Sequence, residues 1–460
     1  MTVTRSAKVT VTWVIKTSTH QPKIITFVVN PKTLIADRII EKSQKDFFTA
    51  SYHGKDTHQY MKYNFPLFWR SLYRSFFDSK NTTARLTRKR IIFLALFCIV
   101  WPLGMLVHWF CFWLDDILFP AYKNHPIEKP LFILGNLRSG STFLHRLLSR
   151  DSTTFTSLTT WDIYLTPSVT QKKITQLVAR LDNKYFGSTL HRLLHKFDDA
   201  TLGKLKIHPI SFFQPEEDEN IHLLIWDGYF VTFLFPFMDE MPNYQHFDEA
   251  LSPEHKRRIM TFYKSMIQRH MYATGKKYFV AKNPAFSAKI ETVTEFFPDA
   301  RIIYLARNPL DMLPSTVSWI NYARRQFTEP EPGYHYIEEI LDMTKHWYSH
   351  PLNYLDAHPS PRHLILKYDD LIQRPEHVIR AFYEQFGYPD KPGLPIIIDQ
   401  AVKETLTFNS DHNYSYESMG FTREQIVAMY PEVFKRFNFE TREPFVEREK
   451  VEVERVTSKK

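Results

Sequence analysis

A glycine-rich loop between a strand and a helix is the part of this sequence best suited to chemistry. The segment Leu131–Leu148 reads LFILGNLRSGSTFLHRLL, with an apolar run, the loop Gly135–Thr142 and an amphipathic helical stretch. Backbone N–H groups of such a loop, together with the N-terminus of the following helix, can bind an anion. Arg138 adds a cation within the loop. The segment predicts an anion site, although taken alone it could also form a tight turn without a ligand.

The loop differs from a nucleoside-triphosphate loop at the position that reaches the phosphates. A Walker loop has a lysine directly after its second glycine, whereas Ser141 follows Gly140 here. A kinase or ATPase also needs a magnesium-binding carboxylate at a strand end, and the run RIIYLA is followed by Arg307. A P-loop kinase or ATPase-type enzyme remains an alternative, but these two positions do not carry the groups it needs.

Four apolar runs indicate the fold that would hold this loop. LFILG, KYFVAK, RIIYLA and HLILKY show no apolar–polar alternation and are separated by helical stretches. Such runs are typical of a parallel sheet with both faces covered. We therefore predict an α/β, P-loop-like three-layer domain over residues 129–438, with a central parallel sheet flanked by helices. Residues 439–460 are predicted to form a charged tail, solvated or disordered.

Composition limits the class of protein. The chain has 460 residues, enough for one large α/β domain with additions. Its two cysteines, Cys98 and Cys111, lie within one apolar run, which argues against a disulfide-built secreted fold. A net charge of +9 suits anionic partners such as a phosphorylated cofactor or a membrane surface. Nucleic acid is not expected, because the basic residues form no single patch interleaved with aromatic residues.

An apolar run is the clearest feature of the N-terminal third. Residues 91–114 read IIFLALFCIVWPLGMLVHWFCFWL, which is long enough to cross a bilayer. The Trp101-Pro102-Leu103-Gly104 interruption would also permit a re-entrant hairpin that returns to the same side. A buried core helix is a third interpretation. We predict a membrane segment over residues 91–114, as a span or a hairpin.

The region before this run, residues 1–90, contains a second candidate for membrane contact. Between Phe65 and Phe76, aromatic residues recur at helical spacing with basic residues among them. An aromatic face beside a basic face is typical of a helix in the headgroup region, but ordinary core packing fits the same pattern. Two strand-like stretches, VTVTWVIKT and KIITFVV, and a helical stretch near Leu34–Phe48 precede it and carry no chemistry that we recognise.

The loop resembles a known motif, and a second motif follows it in the expected order. RSGST followed by FLHRLL resembles the 5′-phosphosulfate loop of PAPS-dependent sulfotransferases, in the arginine-loop branch that includes bacterial, carbohydrate-type and tyrosylprotein enzymes. The segment RIIYLARNPLDMLPSTVSW resembles the 3′-phosphate motif of the same family, in which an arginine closes a strand and a serine on the next helix joins it. The resemblance implies 3′-phosphoadenosine-5′-phosphosulfate (PAPS) as the co-substrate.

Three further segments extend the resemblance over about Leu131–Asn438. Lys282-Asn283-Pro284 resembles the K-S-P or K-D-P strand end of this branch, with Asn283 departing from the usual residue. LKYDDLIQRPE resembles the family's Y-E-D-L segment, and His208-Pro209 followed by PEEDE resembles an H-P…P-E-E-D stretch. The N-terminal 128 residues match nothing that we recognise.

The resemblance implies a set of donor-binding residues and no metal. Arg307 and Ser315 would hold the 3′-phosphate, since an arginine fork and a hydroxyl at a helix start suit the several acceptors of a dianion. The residues implied in donor binding are Gly135, Arg138, Ser139, Gly140, Ser141, Thr142, Arg307, Ser315 and Tyr368. A metal is not expected, because no His/Cys/carboxylate cluster with ligand spacing accompanies the loop.

Sulfuryl transfer in line with the leaving group needs cations and a base. Arg138 and Lys282 are the cations expected to stabilise the transferred group and the leaving phosphate. Asp162 aligns with the position where related enzymes place a catalytic glutamate, and it is the first candidate base although its side chain is shorter. Glu217 and His208 are the alternatives.

The predicted function is transfer of a sulfuryl group from PAPS to a hydroxyl acceptor, with a membrane lipid, a glycolipid or a glycan as candidates. We expect a membrane-associated protein: in a eukaryote at the Golgi membrane with a lumenal domain, in a bacterium at the cytoplasmic face of the inner membrane. The oligomeric state is left open. The alternative from another class is a catalytically inactive membrane scaffold. Loss of Arg138, Lys282 or Arg307 would be expected there, and all three are present.

Overall fold

The computed structural model describes residues 9–15, 23–29, 63–201, 211–275, 278–389, 393–407 and 416–441. The chain divides into two compact units, Met1–Gln59 and Tyr60–Lys460. In the first unit, the strands β1 (Val9–Ile15) and β2 (Lys23–Val29) pair antiparallel. The candidate base His208, the helical stretch predicted near Leu34–Phe48 and the tail from residue 442 lie outside the described residues.

A five-stranded parallel sheet forms the centre of the second unit, in the order β4-β5-β3-β6-β7. The strands are β3 (Leu131–Gly135), β4 (Phe155–Thr156), β5 (Tyr278–Lys282), β6 (Arg301–Ala306) and β7 (His363–Lys367). Four of them coincide with the predicted apolar runs. The predicted α/β domain with a central parallel sheet is therefore confirmed. β4 has only two residues, too few to produce a pattern in the sequence.

Helices surround this sheet along the rest of the unit. Their bounds are α1 Phe65–Phe77, α2 Arg88–Leu118, α3 Ser141–Ser149, α4 Thr160–Tyr164, α5 Val169–Phe186, α6 Thr189–Thr201, α7 Val231–Leu234, α8 Phe247–Ala250, α9 Pro253–Thr274, α10 Ile290–Phe296, α11 Pro309–Arg325, α12 Ile337–Ala357, α13 Tyr368–Gln373, α14 Pro375–Phe386, α15 Gly393–Thr407, α16 Arg423–Met429 and α17 Pro431–Phe437. Short 3₁₀ helices cover Pro120–Asn124, Asp218–Ile225, Met238–Glu240, Tyr244–His246, Pro284–Lys289 and Glu417–Met419.

The two faces of the sheet pack against two separate apolar cores. Alternate residues of each strand face opposite sides, so Phe132 and Leu134 of β3 join one core while Leu131 and Ile133 join the other. The first core is completed by α9, α11 and α12, and the second by α3, α14 and α15. Burial on both faces explains why the strands appear in the sequence as unbroken apolar runs.

The apolar run of the N-terminal third is one continuous helix, α2, that passes through Pro102 without a turn. One face of α2 is buried against the domain through Leu94, Phe97, Met105 and Phe112. The chain therefore does not reverse direction at the Trp101–Gly104 interruption, as a re-entrant hairpin would require.

Buried polar contacts fix both ends of α2 to the same domain. Near its start, Arg90 donates to the carbonyl oxygens of Leu234 and Phe327, at 2.8 and 3.1 Å. Near its end, Asp115 accepts hydrogen bonds from the first N–H groups of α5 at 2.7 and 2.9 Å, and from Arg269 Nε at 3.0 Å. Arg90 and Asp115 are fully buried. Since breaking a buried ion pair leaves an uncompensated charge, detaching the helix end at Asp115 would be costly.

Candidate active site

The predicted site residues lie at the carboxyl edge of the sheet. Gly135 of β3 pairs with Leu305 of β6, Ile133 pairs with Lys282 of β5, and Ala306 pairs with Lys367 of β7. Neighbouring parallel strands therefore end at about the same level. The glycine loop, Lys282, Arg307 and Tyr368 follow or close these strand ends, where α/β sheets commonly bind ligands.

The glycine loop has a backbone that tolerates little substitution. Gly135 and Gly140 have φ values of 139° and 90°, and Arg138 adopts a left-handed φ of 64°. A Cβ atom on Gly140 would lie 2.3 Å from Cδ2 of Tyr368, and one on Gly135 would lie 2.5 Å from the carbonyl oxygen of Leu305. The loop is thus held close to β6 and to Tyr368. A non-glycine residue in left-handed conformation, as at Arg138, often occurs at functional sites.

The start of α3 offers uncapped backbone donors beside the loop. Gly140 is the N-cap residue and supplies no side-chain hydrogen bond to the first turn, which begins with Ser141 and Thr142. Ser139 is fully buried, and its hydroxyl makes no hydrogen bond to any described residue. Backbone and side-chain donors therefore converge where the positive end of the helix dipole also favours an anion.

The two predicted phosphate motifs are joined directly. Arg138 Nε lies 3.0 Å from the hydroxyl oxygen of Ser315, and Arg307 donates from Nη1 to the carbonyl oxygen of Arg138 at 2.8 Å. The guanidinium of Arg307 also lies over the ring of Tyr368, 4.7 Å from its centroid. Arg307 Nε makes no hydrogen bond to any described residue. Two arginines, a serine and a tyrosine thus form one cluster next to the loop.

Lys282 and Glu217 form a second cluster at the neighbouring strand end. Their side chains make a buried ion pair and are 2% and 7% exposed. The second carboxylate oxygen of Glu217, Oε2, has no hydrogen-bond partner among the described residues. The adjacent Glu216 accepts the backbone N–H of Glu217 at 2.8 Å, and burial raises the pKa of Glu216 against the opposing effect of Lys282.

A buried network that the sequence did not reveal supports this pair. Glu219 accepts hydrogen bonds from Lys289, Asn283 and the backbone N–H of Tyr229, at 2.7, 3.0 and 2.9 Å. Burial acts to raise the pKa of Glu219, but the charges of Lys289 and His222 and their hydrogen bonds together lower it. The motif PEEDE identified this segment in the sequence. Its spacing does not show that Glu217 pairs with Lys282 while Glu219 pairs with Lys289.

Asn283 also has a local function in this network. Its amide oxygen accepts the N–H of Ala285 at 3.0 Å and so caps the 3₁₀ turn that follows β5. Asparagine, serine and aspartate share this capping ability. Asn283, in place of the usual serine or aspartate of K-S-P or K-D-P, therefore still caps the turn that follows Lys282.

Asp162 makes contacts different from those expected of a base. Its carboxylate accepts the N–H and hydroxyl of Thr159 at 3.1 and 2.7 Å, which caps α4, and it forms an ion pair with Lys172. Burial acts to raise the pKa of Asp162, but the charges of Lys172 and His270, together with hydrogen bonds from Lys172 and Thr159, lower it to about 2. Asp162 and Glu217 lie on neighbouring segments, since Thr159 bridges to Pro215.

Comparison with known proteins identifies the family of this chain. Residues 130–392 match the sequence profile of the Sulfotransferase family, a span of more than half of the chain. The chain belongs to the Sulfotransferase family. The predicted resemblance is confirmed, and the protein is a transferase of a family in which dependence on PAPS is typical.

Curated relatives of this sulfotransferase come from mycobacteria. The omega-hydroxy-beta-dihydromenaquinone-9 sulfotransferases Stf3 of Mycobacterium bovis and of Mycobacterium tuberculosis are each 25% identical to it over 343 residues, which is 69% of the chain and 77% of each relative. These matches do not favour the kinase or ATPase alternative.

Solved structures share the fold of the sulfotransferase. STF1 from Mycobacterium tuberculosis H37Rv has a TM-score of 0.57 at 17% identity, covering 82% of this chain and 93% of that one. STF9 from Mycobacterium avium has a TM-score of 0.55 at 20% identity, covering 71% and 81%.

Gly140→Ala tests the close approach of the loop to Tyr368. The added Cβ would force the loop or the tyrosine ring to move, so we expect binding of adenosine 3′,5′-bisphosphate, measured by thermal shift and calorimetry, to weaken more than tenfold. Gly420→Ala is a matched control, because Gly420 has a similar φ of 83° and no atom within 4 Å of a new Cβ. Both variants bear the cost of left-handed backbone, about 1–2 kcal/mol. Equal nucleotide binding by the two variants would contradict the role of the loop.

Proposed function

We propose that this sulfotransferase transfers the sulfuryl group of PAPS to the hydroxyl of a membrane lipid. The observation that carries the donor assignment is the direct link between the glycine loop and the second motif, through Arg138, Ser315 and Arg307. A donor with phosphates at its 5′ and 3′ positions would place one phosphate at each motif. Arg138 belongs to the loop and contacts Ser315 of the second motif, so it joins the two sites.

The loop and the second motif divide the donor between them in this proposal. The 5′-phosphosulfate lies on the N–H groups at the start of α3, with Arg138 and the hydroxyl of Ser139 beside it. The 3′-phosphate is held by Arg307 and Ser315. Ser139 Oγ and Arg307 Nε support this division, because both are buried polar atoms without a partner among the described residues, and such atoms in folded proteins usually find one.

Glu217 is our proposed base and Lys282 the cation at the leaving group. The acceptor oxygen attacks sulfur, the bond between sulfur and the 5′-phosphate oxygen breaks, and adenosine 3′,5′-bisphosphate departs. Lys282 stabilises the charge that develops on the departing oxygen. The acceptor proton goes to Oε2 of Glu217, the oxygen not engaged by Lys282.

This proposal places Glu217 ahead of Asp162, the first candidate from the sequence. A base works best when its pKa is near the working pH, and a pKa of about 2 makes Asp162 a weak acceptor of protons. Its oxygens are also engaged by Thr159 and Lys172. We assign Asp162 a structural role in positioning α4. His208 stays a hypothesis outside the described residues.

Glu217→Gln and Asp162→Asn distinguish the two candidate bases. We expect Glu217→Gln to lower kcat about 10²- to 10⁴-fold, the range for loss of a general base, while binding of adenosine 3′,5′-bisphosphate persists. Asp162→Asn should lower the unfolding temperature, because it leaves Lys172 buried without its carboxylate, and reduce kcat less. The measurements are steady-state kinetics and thermal unfolding of both variants. The reverse order of kcat effects would restore Asp162 as the base.

Arg307→Ala and Ser315→Ala test the 3′-phosphate site. Loss of charge-assisted hydrogen bonds to a phosphate remote from sulfur should raise the KM for PAPS about tenfold to a hundredfold for the arginine, with a smaller change in kcat. Arg380→Ala is the control, since Arg380 is exposed on α14 and pairs with Glu376 one helical turn away. An unchanged KM with reduced kcat would contradict this role.

The proposed acceptor is a membrane lipid because an apolar surface lies on the same domain. Helix α2 is long and apolar enough to cross a membrane, with a mean hydropathy of 2.4 over its most apolar stretch, of which 22% is buried. Its outward face exposes Leu96, Ile99, Val100, Leu103, Leu106, Val107, Phe110 and Trp113. The Stf3 relatives are named omega-hydroxy-beta-dihydromenaquinone-9 sulfotransferases, and an acceptor of the menaquinone class supports a membrane lipid here.

We further propose that α2 lies on the bilayer rather than crossing it. The contacts of Arg90 and Asp115 hold its two ends on one domain, so a span would have to break buried polar contacts. Its neighbours extend the apolar surface. On α1 the exposed residues are Phe65, Trp69, Tyr73, Phe76 and Phe77, and on α5 they are Ile174, Leu177, Val178, Leu181, Tyr185 and Phe186. A helix face of this kind enters the boundary between headgroups and acyl chains.

The charges around this surface favour anionic headgroups. The exposed basic residues of α1, α2, α5 and α6 are Arg70, Arg88, Lys89, Lys173, Arg180, Lys184, Arg192 and Lys196. Asp199 is the one exposed carboxylate within those four helices. Basic residues near an anionic bilayer each add attraction, so the surface combines apolar insertion with electrostatic binding.

Leu106→Glu/Phe110→Glu tests this surface. Each side chain is nearly 60% exposed, so the fold should persist. Loss of apolar contact worth about 1.5–3 kcal/mol for each residue should reduce binding to phosphatidylglycerol-containing vesicles by more than tenfold in co-sedimentation. Ile396→Glu is the control, because Ile396 on α15 is 61% exposed and lies outside this surface. Equal vesicle binding by the wild type, Leu106→Glu/Phe110→Glu and Ile396→Glu would contradict the proposal.

Labelling of single cysteines distinguishes a membrane-spanning α2 from one that lies on the membrane surface. In a Cys98→Ser/Cys111→Ser background, Lys89→Cys and Leu118→Cys place one thiol near each end of α2. A membrane-impermeant maleimide added outside sealed vesicles should label both if α2 lies on the surface. Labelling of one thiol alone would indicate a span.

A further inference from the structure

A cluster of three histidines and a carboxylate lies where α12 meets the segment around α8, and the proposed sulfuryl transfer does not use it. His346 and His350 are one helical turn apart, and His246 precedes α8. The ring of His346 lies 4.0 Å from that of His246 and 4.9 Å from that of His350, between centroids. One ligand atom from each of His246, Glu249 and His346 falls within 4.8 Å of the others.

Two of these rings are oriented by carboxylates on their far side. His246 Nε2 lies 2.7 Å from Asp342, and His350 Nε2 lies 3.0 Å from Asp248. Each ring therefore turns its other nitrogen, Nδ1, toward Glu249. Histidines that bind metal ions commonly have such a carboxylate on the nitrogen that is not bound, which fixes the tautomer and the ring orientation.

The distances from Glu249 to these nitrogens fit a shared ion better than a hydrogen bond. The carboxylate oxygens of Glu249 lie 3.7 Å from His246 Nδ1 and 3.8 Å from His350 Nδ1. Both separations are too long for hydrogen bonds. Two ligand atoms bound at about 2.0–2.1 Å to one tetrahedral Zn²⁺ lie about 3.4 Å apart, so a small adjustment of the exposed Glu249 side chain would allow a common ion.

His346 also has a ring nitrogen without a partner in the described part of the chain. Its side chain is 8% exposed, and Nε2 has no hydrogen-bond partner among the described residues. A buried nitrogen left without a partner is costly, and a bound metal ion would supply one.

We propose that His246, His346 and Glu249 bind a divalent transition-metal ion of the Zn²⁺ class, with His350 Nδ1 beside it as a fourth donor. Nitrogen and carboxylate ligands in this number suit zinc. The ion has a structural role, because it joins the short segment before and within α8 to α12. It takes no part in sulfuryl transfer, and the proposal stands independently of the donor and the acceptor.

Two other residues of α12 connect the proposed ion site with the glycine loop and with β6. The carbonyl oxygen of Thr344 accepts from the amide of Asn136 in the glycine loop at 3.2 Å, and that of Trp347 accepts from the hydroxyl of Tyr304 in β6 at 2.8 Å. These residues flank His346 on the same helix. An ion at His346 would therefore fix the helix that supports the donor loop from behind.

Metal titration of the full-length protein, purified without a histidine tag and stripped by chelation, tests the site. Zn²⁺ calorimetry and the visible spectrum of bound Co²⁺ should report one site that Glu249→Ala or His346→Ala weakens at least tenfold. Asp342→Asn should weaken it about tenfold to a hundredfold through the orientation of His246. His358→Ala, a histidine at the end of the same helix, should bind as the wild type does. A His191→Ala/His195→Ala background removes the exposed pair on α6, whose Nε2 atoms lie 3.2 Å apart.

Thermal unfolding gives a second readout that does not depend on activity. Zn²⁺ should raise the Tm of the wild type and of His358→Ala, because a ligand that binds the folded state stabilises it. It should leave the Tm of Glu249→Ala unchanged. Glu249 is 61% exposed, so this variant folds even where His346→Ala does not. Identical Zn²⁺ titrations of the wild type and Glu249→Ala, or identical Tm shifts, would overturn the proposal.

Discussion

Pairing of buried carboxylates with buried lysines is the constraint on which the rest of the site depends. Glu217 pairs with Lys282 and Glu219 with Lys289, and none of the four side chains is more than 7% exposed. A buried charge without a partner costs several kcal/mol, so the segment that carries the two glutamates cannot shift without separating both pairs. The lysines lie at the end of β5 and at the end of the 3₁₀ turn that follows it. A carboxylate and a cation are thereby held at the carboxyl edge of the sheet before any substrate binds.

The same need for partners determines how α2 lies. Its buried and exposed faces carry similar residue types, with Leu94, Phe97 and Phe112 inside and Leu96, Leu106 and Phe110 outside. With apolar contacts alone, either face of α2 could pack against the domain, or the helix could leave the domain for a bilayer. The polar contacts of Arg90 and Asp115 remove that freedom, because neither group can be transferred to lipid without losing its partners. A helix with the composition of a membrane span is thus held as part of a globular domain, with its second apolar face outward.

These examples explain which features the sequence could predict. The four long strands and the glycine loop depend on local patterns, namely unbroken apolar runs and turn residues, and the structure has them at the predicted places. The contacts of Asp162 depend on Lys172 from the following helix, and alignment to a catalytic glutamate carries no information about that pair. The sequence left open whether α2 continues through Pro102 or turns there, since proline disfavours a helix interior, and the structure shows one continuous helix. The one-sided burial of α2 could not be predicted, because no periodicity distinguishes its two apolar faces.

Helix α12 links the parts of the molecule that the sequence presents as separate. Asn136 of the glycine loop bonds to the carbonyl of Thr344, and the hydroxyl of Tyr348 donates to the carbonyl of Arg307. The glycine loop and the strand end at Arg307 therefore rest on the same turn of one helix, besides contacting each other directly. A displacement of that turn would therefore disturb the supports of Arg307 and of the loop at once. His346 lies between these two contacts on the same helix, so a constraint on its side chain would also act on the support of the glycine loop and of Arg307.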